Sequence, residues 1–330
     1  MEDHKYETSQ PLLYEYDSSV TSVSPCDITD ITDFSRKFLP PFYAIIFIVS
    51  MLGNGLVLFI MYKFERLGTV TNIFLINLVV SNLIFTFTLP FQAVHQSSQW
   101  IFGNVTCKIV SSAYFLGFRS SILFLTLMSF DRYLAVVHVV VATKQRRSCY
   151  AFSTAAVVWS VSVLASLETC LKHEVRKDPI VGYVCQETET NIKVLGTYTQ
   201  FILFFILPLV VIVYCYIRIA LRVISSRMKG KHRTVKLIFV IVVLFFICWT
   251  PYNVILLIKE QELSDPCDNS LVYPQYVTHN IAHLYFCVNP VFYTFLGKKF
   301  QNHVRQLLVS KVPCLKSYLS FSGETSRSFS

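Results

Sequence analysis

The stretch that decides the fold is residues 237–258, which read LIFVIVVLFFICWTPYNVILLI without one charged side chain. A bilayer core is about 30 Å thick, so a helix that crosses it needs about 20 apolar residues. Because lipid offers the backbone no hydrogen-bond partners, segments of this kind are expected to be helices. Six further segments share this length and character: Phe38–Tyr62, Val70–His95, Cys107–Val137, Cys149–Leu171, Val194–Ile217 and Leu271–Leu296. The sequence therefore predicts an all-α membrane protein, a bundle of seven transmembrane helices.

The composition agrees with this prediction. Hydrophobic residues make up 53% of the 330 residues, and charged residues only 15%. A soluble protein of this length carries roughly 25% charged residues. The apolar residues lie in long runs, which argues against a large soluble core. The chain also lacks βα alternation and an internal repeat, so α/β enzymes and solenoids are not favoured.

The distribution of Lys and Arg predicts the orientation, because cytoplasmic loops of membrane proteins are rich in these residues. With the N-terminus outside, the inner pieces (63–69, 138–148, 218–236 and 297–330) hold 18 basic residues and 2 acidic ones. The outer pieces (1–37, 96–106, 172–193 and 259–270) hold 8 basic and 16 acidic residues. We therefore expect an extracellular N-terminus. The net charge of +9 then reflects membrane topology and does not predict nucleic-acid binding.

Three regions follow from this topology. Residues 1–37 form an extracellular acidic segment, residues 38–296 the seven-helix domain, and residues 297–330 a cytoplasmic region. Within the last, residues 298–310 place apolar side chains at helical spacing on a basic background, which predicts an amphipathic helix on the inner leaflet. Cys314 follows this segment and is either palmitoylated or a free thiol.

Ten cysteines are present, and four of them fall on the outer side: Cys26, Cys107, Cys185 and Cys267. Four cysteines allow three pairings, and four free thiols are the alternative. We expect Cys107 to pair with Cys185, and Cys26 with Cys267, since the second bond would tie the N-terminal segment to the third outer loop. Asn104 begins an Asn-Val-Thr glycosylation sequon at the membrane surface,.

Motifs along the segments resemble those of the rhodopsin-like G-protein-coupled receptors. They occur in the expected order, each on the expected helix: Gly53-Asn54-Gly55-Leu56-Val57, Asp131-Arg132-Tyr133, Trp159, Pro208, Tyr216, Cys248-Trp249-Thr250-Pro251 and Asn289-Pro290-Val291-Phe292-Tyr293. Any one of them is a weak signal, whereas the ordered set is very specific. The resemblance covers about residues 26–310.

Within this class the chain resembles the chemokine receptors. Residues 131–138 read DRYLAVVH, residues 88–91 read TLPF, and residues 100–103 read WIFG. Each is similar to a pattern of that family, as is the outer pair Cys26 and Cys267. Residues 232–239 and 249–253 most resemble the XC-type (lymphotactin) receptors, and the CC-type receptors are nearly as close.

The resemblance implies a switch at the inner end of the third helix. Asp131 holds Arg132 at rest, and the G protein takes Arg132 in the active state. Trp249 links the ligand pocket to a hinge at Pro251. A proline within a helix removes a backbone hydrogen bond and kinks the helix. The full set implied for coupling and switching is Asp131, Arg132, Tyr133, Tyr216, Trp249, Pro251, Asn289, Pro290 and Tyr293.

The resemblance also implies an outer ligand pocket lined by Tyr43, Gln92, Tyr114, Tyr252 and His279. Any single tyrosine of this set is equally well explained by packing within the bundle. An acidic ligand-capture segment precedes it, because Tyr14-Glu15-Tyr16-Asp17 resembles a tyrosine-sulfation sequence. Chemokines are typically basic, so such a tail would steer them by long-range attraction; a solvated leader is the alternative.

Four positions depart from the family pattern. Asn82 stands where an acidic residue holds a sodium ion, and His279 stands where many chemokine receptors carry Glu. Arg119 and Glu168 are charged residues within apolar segments, where charges are costly and usually functional. We expect them to form a salt bridge between the third and fourth helices.

The sequence favours a receptor that binds a chemokine and activates an inhibitory-type heterotrimeric G protein at the plasma membrane, with calcium signalling and chemotaxis as outputs. A non-signalling chemokine scavenger is the alternative, and the intact residues 131–135 argue against it. Arrestin and membrane lipids are further implied partners. A transporter would show inverted repeats, and an enzyme would show a nucleophile, phosphate-binding or metal-binding motif. His279 and His283 lack a third ligand, so no metal and no cofactor is expected.

Overall fold

The computed structural model describes residues 29–65, 68–138, 148–178, 182–188, 191–225, 232–261, 271–296, 301–304 and 306. Several predicted features lie outside these residues: Tyr14, Glu15, Tyr16, Asp17, Cys26, Cys267 and Cys314. Residues 288–296 are described as backbone only, so the side chains of Asn289, Pro290 and Tyr293 also lie outside.

The elements are as follows, in chain order: α1 Thr29–Phe64, α2 Val70–Thr86, α3 Leu89–Ser97, α4 Gly103–Val137, α5 Ser148–Lys172, β1 His173–Asp178, β2 Gly182–Glu187, α6 Asn191–Phe201, a π-helical turn Ile202–Ile206, α7 Leu207–Ser225, α8 His232–Gln261 and α9 Val272–Leu296. Each of the seven predicted segments is helical. Six helical stretches among the described residues are long and apolar enough to cross a membrane, and α9, of 25 residues, is the helix at the seventh predicted segment. The predicted seven-helix bundle is confirmed.

Two of the predicted segments are interrupted next to a proline. The second segment divides into α2 and α3 just before Pro90, which occupies the first turn of α3, a position where its missing N–H is not needed. Thr88 Oγ donates to the carbonyl of Phe85 (2.7 Å) and so satisfies a carbonyl at the end of α2. The fifth segment contains a π-helical turn that ends two residues before Pro208. The wider turn accommodates the proline ring, which would otherwise clash with the preceding turn of helix.

A β-hairpin lies across one end of the bundle. Strands β1 and β2 pair antiparallel, with Val175 opposite Cys185. The Cys107–Cys185 disulfide attaches β2 to the start of α4, and the backbone N–H of Val175 donates to Asn104 Oδ1 (3.0 Å). The predicted Cys107–Cys185 bond is therefore confirmed. The hairpin itself was not predicted, because residues 173–178 read HEVRKD and lack apolar alternation.

Helix α4 is the centre of the bundle. It packs against α2, α5, α7 and α8, and more than half of its apolar window is buried. Helices α1, α5, α7 and α8 expose much more of their apolar surface; Leu52 on α1 and Leu164 on α5 are about two-thirds exposed. These faces are the ones that a lipid bilayer would cover. The charged and polar side chains that follow are therefore concentrated along α4 and the helices that contact it.

Candidate functional site

A cavity of about 260 Å³ lies beneath the hairpin, between α4, α5, α6, α8 and α9. Its inner wall is aromatic and is formed by Tyr114, Phe115, Phe118, Trp249 and Tyr252. The titratable side chains that line its other side are Arg119, Glu168, Lys172, His173 and Glu187. Ligand sites of proteins combine an apolar lining with a few fixed polar groups, so this cavity is the first candidate site.

Lys172 connects two carboxylates on one side of the cavity. It forms an ion pair with Glu168, one helical turn away on α5, and its Nζ lies 3.9 Å from Glu187 Oε1 on β2. Gly196 allows α6 to approach this group, because a Cβ at that position would lie 3.0 Å from Lys172 Nζ and 3.4 Å from Glu168 Oε1. Because Gly196 has no side chain, it leaves room for the ion pair between Lys172 and Glu168.

Arg119 lies on α4 and is only 6% exposed. Its Nε donates to Gln200 Oε1 of α6 (2.8 Å), and its Nη1 donates to the carbonyl of Ala165 on α5 (2.7 Å). The expected salt bridge between Arg119 and Glu168 is wrong, since Glu168 pairs with Lys172 instead. The i,i+4 spacing of Glu168 and Lys172 places them on one helix face and explains the choice of partner.

His173 begins β1 and lines the cavity beside Lys172. Burial lowers the pKa of its imidazole, and the neighbouring charge of Lys172 acts in the same direction. The ring is therefore neutral at physiological pH, and its Nδ1–H donates to the carbonyl of Thr169 (3.0 Å). This histidine contributes no positive charge to the cavity.

The five predicted pocket residues do not all reach this cavity. Tyr114 and Tyr252 line it, and His279 lies behind them, 2.9 Å from the Tyr114 hydroxyl through its Nε2. Tyr43 is 3% exposed and packs against His283. Gln92 is partly buried on α3 and does not line the cavity.

His279 and His283 stack edge to face, with ring centroids 4.5 Å apart. The Nδ1–H of His283 donates to the backbone carbonyl of His279 (2.6 Å). Within the described residues there is no group of three or more side chains suited to a metal ion. The two rings belong to the aromatic layer around Tyr114 and Phe85.

Trp249 forms the floor of the cavity. Its ring lies 4.2 Å from that of Phe118 and 6.0 Å from that of Phe245, centroid to centroid. The indole Nε1 is buried and has no acceptor among the described residues. Asn253 Nδ2 donates to the Trp249 carbonyl (2.8 Å), next to Pro251, where α8 lacks a backbone donor. The indole is thus held by packing alone.

A neutral polar cluster lies deeper in the bundle, around Asn82. Asn82 is fully buried; its Nδ2 donates to Asn54 Oδ1 (3.3 Å), and its Oδ1 accepts from Ser121 (3.1 Å). Asn54 in turn donates to the carbonyls of Ser50 and Phe286. The amide uses both its donor and its acceptor, so the cluster is satisfied without a cation.

The opposite end of α4 carries a second charged group. Arg132 Nη2 lies 3.1 Å from Asp131 Oδ2, and both bond the hydroxyl of Thr71 on α2, which donates to Asp131 Oδ2 (3.0 Å). The side chains are 15% and 12% exposed. Tyr133 bonds His138 Nε2 (2.9 Å). The predicted proximity of Asp131 and Arg132 is observed, and Thr71, which sequence reasoning missed, connects the pair to α2.

Tyr216 lies near this end, on α7. Its ring packs against Phe239 of α8, with centroids 5.0 Å apart, and it contributes to the cluster around Tyr133 and Ile219. Beyond α9, residues 301–304 are helical, and His303 Nε2 lies 3.3 Å from Glu65 Oε1 at the end of α1. The start of the predicted amphipathic segment is therefore placed against α1.

Comparison with known proteins agrees with this architecture. The model of the 7 transmembrane receptor (rhodopsin family) matches residues 53–293. The C-C chemokine receptor type 3 of Cavia porcellus is 36% identical over 97% of this chain and 92% of its own length. The human C-C chemokine receptor type 4 is 37% identical over 86% of this chain and 81% of its own length. The human C-C chemokine receptor type 8 is 33% identical over 93% and 91%.

The chain therefore belongs to the rhodopsin family of seven-transmembrane receptors and, within it, to the chemokine receptors. It is a multi-pass protein of the plasma membrane. Members of this family are receptors, so an enzymatic function is excluded on the family relationship.

Proposed function

We propose that this receptor binds a basic chemokine on the extracellular side and activates an inhibitory-type heterotrimeric G protein on the cytoplasmic side, with calcium signalling and chemotaxis as outputs. The observation that carries the proposal is the intact Asp131–Arg132 pair at the end of α4 opposite the cavity. The three relatives named above are all called chemokine receptors. The excess of basic residues in the inner loops supports an extracellular N-terminus.

Ligand binding would proceed in two stages. The acidic segment around Tyr14, Glu15, Tyr16 and Asp17 attracts the basic chemokine and holds it by charge-assisted hydrogen bonds. The flexible N-terminus of the chemokine then enters the cavity beneath the hairpin. There it contacts Tyr114 and Tyr252 and presses on Trp249, whose ring packs against Phe118 and Tyr252.

Coupling would use α8. Pro251 lies within this helix, two residues after Trp249 at the cavity floor, and a proline there weakens the helix at one point. A displaced Trp249 would let the inner half of α8 swing away from α7, separating Phe239 from Tyr216. The G protein would then bind Arg132, which leaves Asp131 and Thr71. Asn289, Pro290 and Tyr293 on α9 would take part in the same rearrangement, and arrestin and inner-leaflet lipids would meet the same surface.

The experiment is a screen of recombinant chemokines on cells that express the receptor, read by calcium flux and by inhibition of cyclic AMP. We expect at least one chemokine to act, and its response to disappear when inhibitory-type G proteins are inactivated by ADP-ribosylation. A chemokine that binds and is internalised without either response would instead identify this protein as a non-signalling scavenger receptor.

Arg132→Ala should abolish both responses while surface binding of the same chemokine is retained. Thr71→Ala should raise basal signalling, because Asp131 and Arg132 lose the hydroxyl that both contact. Thr71→Ser keeps that hydroxyl and is the matched control. Full signalling by Arg132→Ala would refute the switch, and equal basal signalling in the two Thr71 variants would refute the role of the α2 contact.

A further inference from the structure

Among the charged side chains that line the cavity, Arg119 is the one that forms no contact ion pair with a carboxylate of the described protein. Its hydrogen bonds go to a side-chain amide of Gln200, a backbone carbonyl of Ala165 and, at 3.5 Å, the hydroxyl of Ser166. All three acceptors are neutral. Its terminal Nη2 has no acceptor among the described residues. These hydrogen bonds fix the guanidinium in place, and Nη2 remains available to donate to a ligand.

Two aromatic rings hold the guanidinium from the sides. Its central carbon lies 5.0 Å from the ring centroid of Phe115 and 5.2 Å from that of Phe204. These contacts and the bond from Nε to Gln200 restrict the side chain to one orientation. A planar guanidinium with a fixed orientation is the group that proteins use for carboxylate recognition. Arg119 is thus preorganised and lines the cavity.

Glu168 and Glu187 attract Arg119 through space, but neither forms a contact ion pair with it. Glu168 pairs with Lys172, and Glu187 lies 3.9 Å from the same ammonium group. His173 on this wall is neutral. The cavity is consequently divided into an acidic side, where two carboxylates share one lysine, and a basic side formed by Arg119 alone.

A buried charge with neutral partners is costly, and an opposite charge that enters its surroundings is bound strongly. The cavity is slightly smaller than the roughly 300–1,000 Å³ typical of small-molecule sites. It therefore admits one or two side chains of a peptide and excludes a folded domain.

We propose that Arg119 determines ligand specificity by binding a carboxylate side chain in the N-terminal segment of the ligand. The identity of that ligand as a chemokine rests on the proposed function, whereas the preference for a carboxylate rests on the cavity alone. An acidic residue at position 279 would favour a cationic group of the ligand. This receptor has His279 there, which bonds Tyr114 and carries no carboxylate, so the cavity favours an anionic group of the ligand instead. A receptor built in this way selects ligands whose N-terminal segment is acidic, although the ligand as a whole is basic.

The first test needs no chemokine. Pentapeptides with a free amino terminus and one Glu, each with a Gln counterpart, are added at millimolar concentration to the purified full-length receptor, and the midpoint of thermal unfolding is measured. A ligand that binds only the folded state raises that midpoint. We expect at least one Glu peptide to raise the midpoint more than its Gln counterpart. Equal midpoints within every pair would overturn the proposal, and this comparison uses the wild-type receptor alone.

Three variants assign the effect to one residue. The Glu preference should vanish in Arg119→Gln, persist in reduced form in Arg119→Lys, and remain unchanged in Lys177→Gln, which removes an exposed cation of β1 outside the cavity. A Glu preference that survives in Arg119→Gln would also overturn the proposal. If Arg119→Gln is not expressed, Arg119→Lys decides: it keeps the charge but lacks the fork geometry, so an undiminished preference there counts against recognition by the guanidinium.

The second test uses the chemokine agonist found in the screen. Neutralising the acidic residues of its N-terminal segment should raise its EC50 on the wild-type receptor roughly 10-fold to 100-fold, the range for loss of a hydrogen-bonded charge. The same change should have little effect on Arg119→Gln. An agonist whose N-terminal segment has no acidic side chain would contradict the proposal. If no chemokine activates the receptor, the proposed function fails, and the peptide result still decides the role of Arg119.

Discussion

Replacing Gly117 with alanine tests the packing on which the cavity depends. Gly117 lies on α4 where α2 comes closest. A Cβ there would lie 2.7 Å from the backbone nitrogen of Phe85, 2.8 Å from its Cβ and 2.9 Å from the carbonyl oxygen of Ser81. None of these atoms can rotate away, because all three belong to the backbone of α2 or are attached directly to it. The two helices must therefore separate to admit one methyl group.

The magnitude follows from two opposing effects. Overpacking a tight contact costs about 1–3 kcal/mol, and replacing glycine by alanine within a helix returns about 1 kcal/mol. Gly55 on α1 is the matched control, since a Cβ at that position meets nothing within 4 Å. Gly55→Ala should therefore show only the stabilisation that alanine gives a helix relative to glycine. The two variants should therefore differ in unfolding free energy by about 1–3 kcal/mol, with Gly117→Ala the less stable. For a chain of this size such a difference shifts the unfolding midpoint by roughly 1–4 °C.

The displacement should also reach the ligand site. Phe85 stacks on Phe286 at 3.7 Å and lies 4.8 Å from Tyr114, a wall of the cavity. We expect Gly117→Ala to lower agonist potency in the calcium assay and Gly55→Ala to leave it near that of the parent. Thermal unfolding of both purified variants provides the decisive measurement. Equal midpoints, or a Gly117→Ala receptor more stable than the parent, would refute the packing argument.

Three further predictions concern the charged and polar residues. Agonist binding should differ little between sodium and an organic cation, and Asn82→Asp should create a sodium effect, because a buried carboxylate needs a counter-ion; a strong sodium effect in the parent would contradict this. Replacing Tyr14 and Tyr16 with Phe should slow chemokine association and weaken its salt dependence, as stopped-flow measurements at two ionic strengths would show, and unchanged rates would exclude these tyrosines from capture. Glu168→Gln should reduce surface expression less when combined with Lys172→Gln than when made alone, since the second change removes the ammonium that has lost its nearer carboxylate; additive losses would argue against the ion pair.

The sequence was sufficient to predict the bundle because its strongest signals are local. Seven apolar runs such as residues 237–258 need no tertiary information to be recognised as membrane helices. The break before Pro90 was also predictable, since a proline in a helix has one geometric consequence. The disulfide between Cys107 and Cys185 was expected because the topology places both cysteines on the outer side, one at the start of the third helix and one in the second outer loop; the same topology left three pairings of the four outer cysteines open.

Side-chain partners were not predictable in the same way. Arg119 and Glu168 were expected to pair as the two rare charges of neighbouring helices. Lys172 was assigned to a loop, yet α5 continues through it and places it one turn from Glu168. The capture of Glu168 by a residue on its own helix follows from where α5 ends, and helix ends are the least certain feature of a sequence prediction. The partner of Arg119, Gln200, was hidden for a different reason: a neutral amide gives no signal within an apolar segment.

Helix α4 carries polar groups at three levels, and their states differ in a way that bears on signalling. At the inner end Asp131 balances Arg132, and in the middle Asn82 and Ser121 satisfy each other. At the cavity α4 presents Arg119, whose hydrogen-bond acceptors are all neutral. A ligand shifts a conformational equilibrium only by the difference between its affinities for the two states. That difference is greatest where the resting protein leaves an interaction unmade, so the cavity end of α4 is where a ligand has most free energy to contribute. The lower two levels, already satisfied, favour the resting arrangement until that contribution exceeds the cost of breaking them.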